Sequence, residues 1–241
     1  MATIITNKPH KVAWINYLST TGATDRKPLY DFVEGCFDLG IWSNMVCWPL
    51  RSAQNKATGT TVYSLGGLGS YNGTMSGATP SAVESDGLLV NANDQLVSCS
   101  IPVPSAVSMV FVKKTVTAGN FSVFNGTELS IYAPFGADIY FDYKVSNPRH
   151  NVNGGFVVGQ NAWISCIAGT TGKRTRKNLT LLKEDAIAAN ASGDITKLVQ
   201  NGTTGSHKLP FLFLANSEFD SQEASIYSLY KSTLGTGLSL P

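Results

Sequence analysis

Charge is what this sequence has least of. Asp, Glu, Lys and Arg make up 14% of its 241 residues and balance to a net charge of +2, where an average soluble protein carries roughly 25% charged residues. No broad basic field results, which argues against nucleic acid as a partner. No apolar run reaches the roughly 18 residues of a bilayer-spanning helix, so no membrane partner is expected either. The N-terminus, MATIITNKPHKVAWINYL, lacks a basic start followed by a sustained apolar core and does not read as a signal peptide. The chain is therefore expected to be made in a cytoplasm and to stay or be assembled there. Cysteines are few and scattered: Cys36, Cys47, Cys99 and Cys166 have no C-x-x-C spacing and read as small buried apolar side chains. The three histidines, His10, His150 and His207, lie in polar contexts without metal-ligand spacing, and surface positions are expected for them. No cofactor is implied.

In place of charge the chain has Ser, Thr, Asn and Gly alongside a hydrophobic content of 43%. That is too apolar for disorder and suits a β-rich protein coated with hydroxyls and amides. One stretch, Lys27 to Met75, organises the rest. Leu29, Phe32, Val33, Cys36, Phe37 and Leu39 recur at helical spacing, Thr24 or Asp25 can cap the start, and Gly40 is placed to end the helix. Trp42 and Trp48 follow as large apolar anchors. The run from Asn55 to Gly73 is rich in Gly and Asn turn chemistry; no Gly-Lys-Ser/Thr follows it, so it reads as a surface loop and not a phosphate cradle. Before the helix, Trp14, Ile15 and Leu18 form an apolar leader too short to assign.

From Asp86 onward short β-branched and apolar runs recur. They are Leu88–Val90, Gln95–Ile101, Val107–Lys113, Phe121–Phe124, Leu129–Tyr132, Ile139–Val145, Phe156–Val158, Trp163–Ile167, Leu179–Leu182, Leu209–Leu214 and Ala224–Tyr230. Asn-Gly turns such as Asn125-Gly126 separate several of them, and nothing alternates strand with helix. The pattern predicts an all-β, two-sheet antiparallel sandwich. Division into residues 1–44, a leader with a short N-terminal α-helix, and 45–241, the β domain, follows.

From Trp42 to Pro241 the order of these pieces resembles the concanavalin A-like, laminin-G-like jelly roll. SDGLLVNANDQLVSCSIP is similar to the family's strand pair, VSMVFVKK to the next sheet strand, AWISCIAGTTGKRTRKNLTLLKED to its Trp-led hairpin, and LPFLFLANSEFDSQEASIYSLYKSTLG to the closing pair. The lead-in LYDFVEGCFDLGIWSNMVCWPL resembles one found on such domains in bacteriophage virion proteins. That likeness implies a non-enzymatic structural or adhesion component of a fibre, spike or other appendage, located in the virion. Its expected partners are other virion proteins, further copies of itself and a host-surface glycan.

Four kinds of chemistry remain to be weighed. Glu218-Phe-Asp220-Ser-Gln-Glu223 has the spacing of the paired carboxylates in concanavalin A-like glycoside hydrolases, but polar Ser221 and Gln222 stand where that motif is apolar, and a solvated turn before the last strand is expected. Asp86, Asn91, Asn93 and Asp94 form an oxygen-rich stretch without diagnostic calcium spacing. Lys173-Arg174-Thr-Arg176-Lys177 reads as a solvated hairpin tip. Carbohydrate binding, as a lectin-like module, is the rival to a structural role. It needs an aromatic platform beside amides, for which Tyr132, Tyr140 and Tyr143 are the candidates, with Tyr71 also available.

Overall fold

A computed structural model of the chain describes residues 8–55, 59–77, 82–91, 96–117, 119–143, 150–169, 172–186, 193–201 and 205–241. Gln95, Lys144, Val145 and the calcium candidates Asn93 and Asp94 lie outside them. Two helices come first, α1 (Pro9–Thr21) and α2 (Arg26–Asp38), then a 3-10 turn at Trp42–Asn44. Strands follow as β1 (Met45–Pro49), β2 (Thr61–Val62), β3 (Leu65–Gly66), β4 (Gly73–Ser76), β5 (Ala82–Glu84) and β6 (Gly87–Val90). Next come β7 (Leu96–Pro102), β8 (Val107–Thr117), β9 (Phe121–Gly126), β10 (Leu129–Phe135), β11 (Asp138–Tyr143) and β12 (His150–Asn153). The chain ends with β13 (Asn161–Gly169), β14 (Gly172–Lys177), β15 (Thr180–Asp185), β16 (Asp194–Asn201), β17 (Ser206–Ala215) and α3 (Glu223–Ser232).

Among the described residues the strands form two antiparallel sheets. The first runs β15-β14-β13-β8-β17-β1-β3, with β6 also on β17 and β5 on β6; the second runs β12-β11-β10-β9-β16-β7-β4-β2. Between the sheets lies one apolar core, with Trp48, Phe111, Phe124, Ile131, Phe141 and Leu214 among its members. A second core lies on the other side of the first sheet, where Phe32 and Cys36 of α2 and Ile226 and Tyr230 of α3 meet Val110, Val112, Trp163, Phe211 and Phe213. The molecule is thus an all-β sandwich with helices along one flank.

This layering explains the strand sequences. On β8, Val107, Met109 and Phe111 face the second sheet while Val110 and Val112 face the helices. Both faces are covered, so every residue from Val107 to Lys113 is buried and, apart from Ser108, apolar until Lys113. The strands β13 and β17 follow the same rule. In the second sheet β11 instead alternates, with Ile139, Phe141 and Tyr143 buried and Asp138, Tyr140 and Asp142 partly exposed. One face of that sheet meets the core and the other meets solvent.

Helix α2 matches its expected span: Asp25 stands at the N-cap, Leu29, Phe32, Val33 and Cys36 are buried, and Gly40 takes φ 69° just past the end. The leader is the helix α1, whose Trp14 indole donates to the Arg26 carbonyl at 2.9 Å and meets the Tyr30 ring edge-on. Three expectations are corrected. The run Ala224–Tyr230 is not a closing strand but part of α3, because Ile226, Tyr227 and Tyr230 share one helical face and bury it against the first sheet. Phe156–Val158 is a loop, with Val157 and Val158 exposed. The histidines are not on the surface: His150 and His207 are fully buried and His10 nearly so. His150 places Nδ1 2.6 Å from Asp185 Oδ2, and the His207 ring centroid lies 4.8 Å from that of Phe121.

Candidate functional site

The solvent-facing side of the second sheet gathers an aromatic and amide surface. Residues opposite one another in an antiparallel ladder share a face. Register places Asn151, Tyr140, Tyr132, Ser122 and Gln200 opposite one another in turn, across β12, β11, β10, β9 and β16. None of these five positions faces the core between the sheets. Tyr132 and Tyr140 are half-buried.

A bulge adds a third ring. Tyr132 pairs with Tyr140 and Phe135 with Asp138, so three steps on β10 oppose two on β11. The extra residue reverses the parity of the strand end. Ala133 and Pro134 are both buried, and Phe135, which strict alternation would turn inward, is 47% exposed. Its ring lies edge-on to Tyr132 at 6.1 Å and to Tyr140 at 5.3 Å. Beside this trio is a hollow of about 230 Å³ lined by Asn120, Ser122, Asn125, Tyr132, Phe135 and Gln200. Its polar groups are anchored. Asn120 Oδ1 accepts the Gly136 N–H at 3.0 Å, Asn125 Oδ1 accepts from Ser130 Oγ at 3.0 Å, and Lys197 Nζ donates to Gln200 Oε1 at 3.0 Å. Apolar ring faces next to fixed amides and hydroxyls are what a sugar, with its CH face and hydroxyl rim, requires.

Of the three tyrosines read from the sequence, the structure brings Tyr132 and Tyr140 together and sends Tyr143 elsewhere. Tyr143 is 1% exposed on the inner face, and its hydroxyl lies 2.7 Å from the Pro104 carbonyl and 2.9 Å from that of Ser105. Odd positions of β11 face the core, so its place as a platform is corrected. Tyr71 is packed against the same core from a loop. Phe135 was missed because only the bulge turns it outward, and Asn120, Asn125 and Gln200 because isolated amides in loops and strands carry no spacing.

The carboxylate string has a different role from either reading of it. Glu218 and Asp220 lie between β17 and α3, and Glu223 starts α3, so the three do not share a strand. Asp220 bridges two arginines, with Oδ2 2.6 Å from Arg174 and Oδ1 2.6 Å from Arg176. Glu218 reaches Arg174 at 3.4 Å, and Glu223 reaches Arg176 at 3.1 Å while accepting from Ser165 Oγ at 2.5 Å. Arg174 also pairs with Glu184 at 2.7 Å; that hydrogen bond, with the Asp220 charge, holds its pKa above the ordinary value. The basic run Lys173–Lys177 is therefore not a solvated tip but strand β14, and the acidic string is not a solvated turn. The two neutralise each other and fasten α3 to the first sheet. Trp163, far upstream in sequence, is brought beside Glu223 but is fully buried, so it offers no ring to a ligand.

Among the described residues, no group of three or more His, Cys, Asp or Glu side chains is arranged to hold a metal ion. The cysteines Cys36, Cys47 and Cys166 are buried free thiols, and burial pushes the pKa of Cys166 up to about 12.

No family model matches the chain, and no curated relative does. Solved structures do match. Trypanosoma rangeli sialidase superposes with a TM-score of 0.56 at 12% identity, covering 79% of this chain and 33% of the sialidase. The botulinum neurotoxin serotype D binding domain gives 0.60 at 8% identity, covering 78% and 51%. The ligand-binding domain of the same serotype in complex with N-acetylneuraminic acid gives 0.59 at 9% identity over the same shares. The chain spans a third to a half of the chains it matches, and at these identities the likeness is one of fold. It carries no link to virus particles. It does correct one expectation: sialidases are enzymes and share this fold, so the expected absence of enzymatic activity is overturned as a reading of the fold.

Proposed function

We propose that this chain is a carbohydrate-binding β-sandwich, taking a glycan on the open face of its second sheet. The observation that carries the reading is the trio Tyr132, Phe135 and Tyr140 standing beside the hollow between Asn120, Asn125 and Gln200. The rings supply apolar area at low entropic cost, and the fixed amides supply orientation. The comparisons support it in kind: one matched structure is that of a toxin domain holding N-acetylneuraminic acid, and another is a sialidase. Sialylated and neutral glycans are accordingly the classes to offer. A glycan array read with the intact chain tests the proposal. Specific, saturable binding that weakens in Tyr132→Ala and Tyr140→Ala supports it, and an array without saturable binding overturns it. Incubation with sialyllactose and measurement of free sugar separates binding from hydrolysis.

The biological setting we propose is a virion appendage in which such binding attaches the particle to a host surface. Its support is the sequence likeness of residues 29–50, where α2 ends at Asp38 and the Gly-Ile-Trp step at residues 40–42 leads into β1. Detection of the chain in purified particles tests this setting, and its absence from them sinks it.

A further inference from the structure

The Gly-rich stretch that the sequence presents as a plain surface loop forms one wall of a second hollow, facing helix α1. Residues Ala13, Asn16, Tyr17 and Thr20 of α1 fall at i, i+3, i+4 and i+7 and make one side. Trp42 and the residues Tyr63 to Asn72 make the other, and the space between them is about 270 Å³. That is close to the lower end of small-molecule sites, which run from about 300 to 1,000 Å³.

The wall is built to hold its shape. Asn55, fully buried, donates from Nδ2 to the Tyr63 carbonyl at 2.8 Å and accepts the Tyr63 N–H at 3.3 Å. Asn72 Oδ1 accepts both the Ser64 N–H at 2.9 Å and the Ser64 hydroxyl at 3.2 Å, and Ser64 Oγ in turn accepts the Tyr71 N–H at 2.9 Å. The indole of Trp42 is stacked on Phe37 at 4.9 Å with 19° between the planes. Gly67 lies so close that a Cβ there would come within 2.8 Å of the Trp42 indole nitrogen, so only glycine lets the loop approach. After these bonds, no hydrogen-bond partner among the described residues is found for the Trp42 indole N–H, the Tyr63 hydroxyl or the Asn72 Nδ2 group.

The lining decides the ligand class. It contains no Asp, Glu, Lys, Arg or His, so an anion or cation entering it would lose hydration without meeting an opposite charge. A hydrocarbon would leave the amides and hydroxyls of Asn16, Thr20, Ser64 and Asn72 stripped of water without partners. A neutral saccharide avoids both costs, because its hydroxyls pair with amides and its CH groups lie against Trp42 and Tyr63. We infer that this groove is a second binding site, for a neutral saccharide, separate from the face that carries Tyr132. It stands on its own lining and does not depend on the first site.

The test uses the intact ¹⁵N-labelled chain titrated with lactose, maltose and N,N′-diacetylchitobiose to about 10 mM, a range suited to millimolar dissociation constants. Expected is a saturable shift of the Trp42 indole N–H with at least one of the three. Asn16→Leu, an exposed helix position where Leu is the better helix former, narrows the mouth and is expected to weaken that response at least fivefold. Tyr132→Ala is expected to leave it unchanged. No saturable shift with any of the three sugars overturns the inference. So does an undiminished response in Asn16→Leu, or its loss in Tyr132→Ala, which would mean that the first site alone binds.

Discussion

The two sheets of the sandwich have outer faces built from the same kind of antiparallel strand, yet they are finished in opposite ways. The outer face of the first sheet carries Val110, Val112, Trp163, Phe211 and Phe213 and is roofed by α2 and α3. The outer face of the second carries Ser122, Ser130, Tyr132, Tyr140 and Asp142 and has no roof among the described residues. The first face is spent on stability, since its apolar area is already removed from water. The second leaves aromatic area open to water, Phe135 above all at 47% exposed. The aromatic face proposed above to bind glycan therefore lies on the second sheet, and mutations on the two faces are expected to separate stability from recognition.

The largest separation is expected at Phe211. Its fully buried ring meets Phe32 at 5.8 Å, Trp163 at 6.4 Å and Tyr230 at 4.4 Å, so one side chain joins both helices to the sheet. Phe211→Ala is expected to cost about 3–5 kcal/mol in denaturant unfolding. If its cost is no more than that of Tyr140→Ala on the open face, the contrast between the faces fails.

Asp220 comes next. Its carboxylate is shared by Arg174 and Arg176 where α3 joins the first sheet. Asp220→Ala leaves two partly buried guanidinium groups short of a partner and is expected to cost about 1.5–3 kcal/mol. Asp220→Asn, keeping one acceptor, should recover part of it. A thermal midpoint that does not move in Asp220→Ala would show that the clamp contributes nothing and that the apolar roof alone holds.

The covered interior should also show itself in acid. Burial, then the nearby Lys113 charge, lowers the His207 pKa to about 3 from an ordinary 6.5. A depressed folded pKa means that the unfolded chain binds the proton more readily, so the stabilisation is complete above about 6.5 and is lost as pH falls towards 3. Across that window the slope from this group is at most about 1.4 kcal/mol per pH unit. His207→Gln is expected to flatten the fall in unfolding free energy between about pH 6 and 4. Lys113, buried with its ammonium on Thr115 Oγ1 at 2.7 Å and its pKa lowered to about 7, acts at the other end, adding stability as pH rises above 7.

The sandwich was legible in the sequence because burial writes itself into strands: alternation in β11 and the apolar runs Met109–Val112 of β8 and Leu209–Ala215 of β17 both follow from what covers each face. Helix α3 was not legible, since Ala224-Ser-Ile-Tyr-Ser-Leu-Tyr230 alternates well enough to pass for a strand. The discriminating sign was the spacing Glu223, Ile226, Tyr227, Tyr230 and Leu234, with an acid at the first turn and Lys231 at the last. His150 and His207 misled because their sequence neighbours are polar, whereas burial is set by strand parity and by partners from distant segments, such as Asp185. The site was half legible. Tyr132 and Tyr140 could be named as aromatics, but Tyr143 has the same parity as Phe141 and so belongs to the core, and Phe135 is outward only by virtue of a bulge.

The smallest expected change in stability comes at Tyr132, and it is the sharpest test of the comparison. The ring lies on the open face with one edge against Phe135, so its removal opens no cavity in either core. Tyr132→Ala should therefore move the unfolding free energy by no more than about 1 kcal/mol, the size of a cross-strand aromatic contact. The same substitution removes one of the rings that line the hollow, and loss of one aromatic contact worth about 1.4 kcal/mol is expected to weaken glycan binding roughly tenfold. Calorimetric titration with the best ligand from the array, beside denaturant unfolding of the same sample, measures both. A variant that unfolds easily and binds as before would reverse the assignment of the two faces, because the open sheet would then be the one holding the fold together.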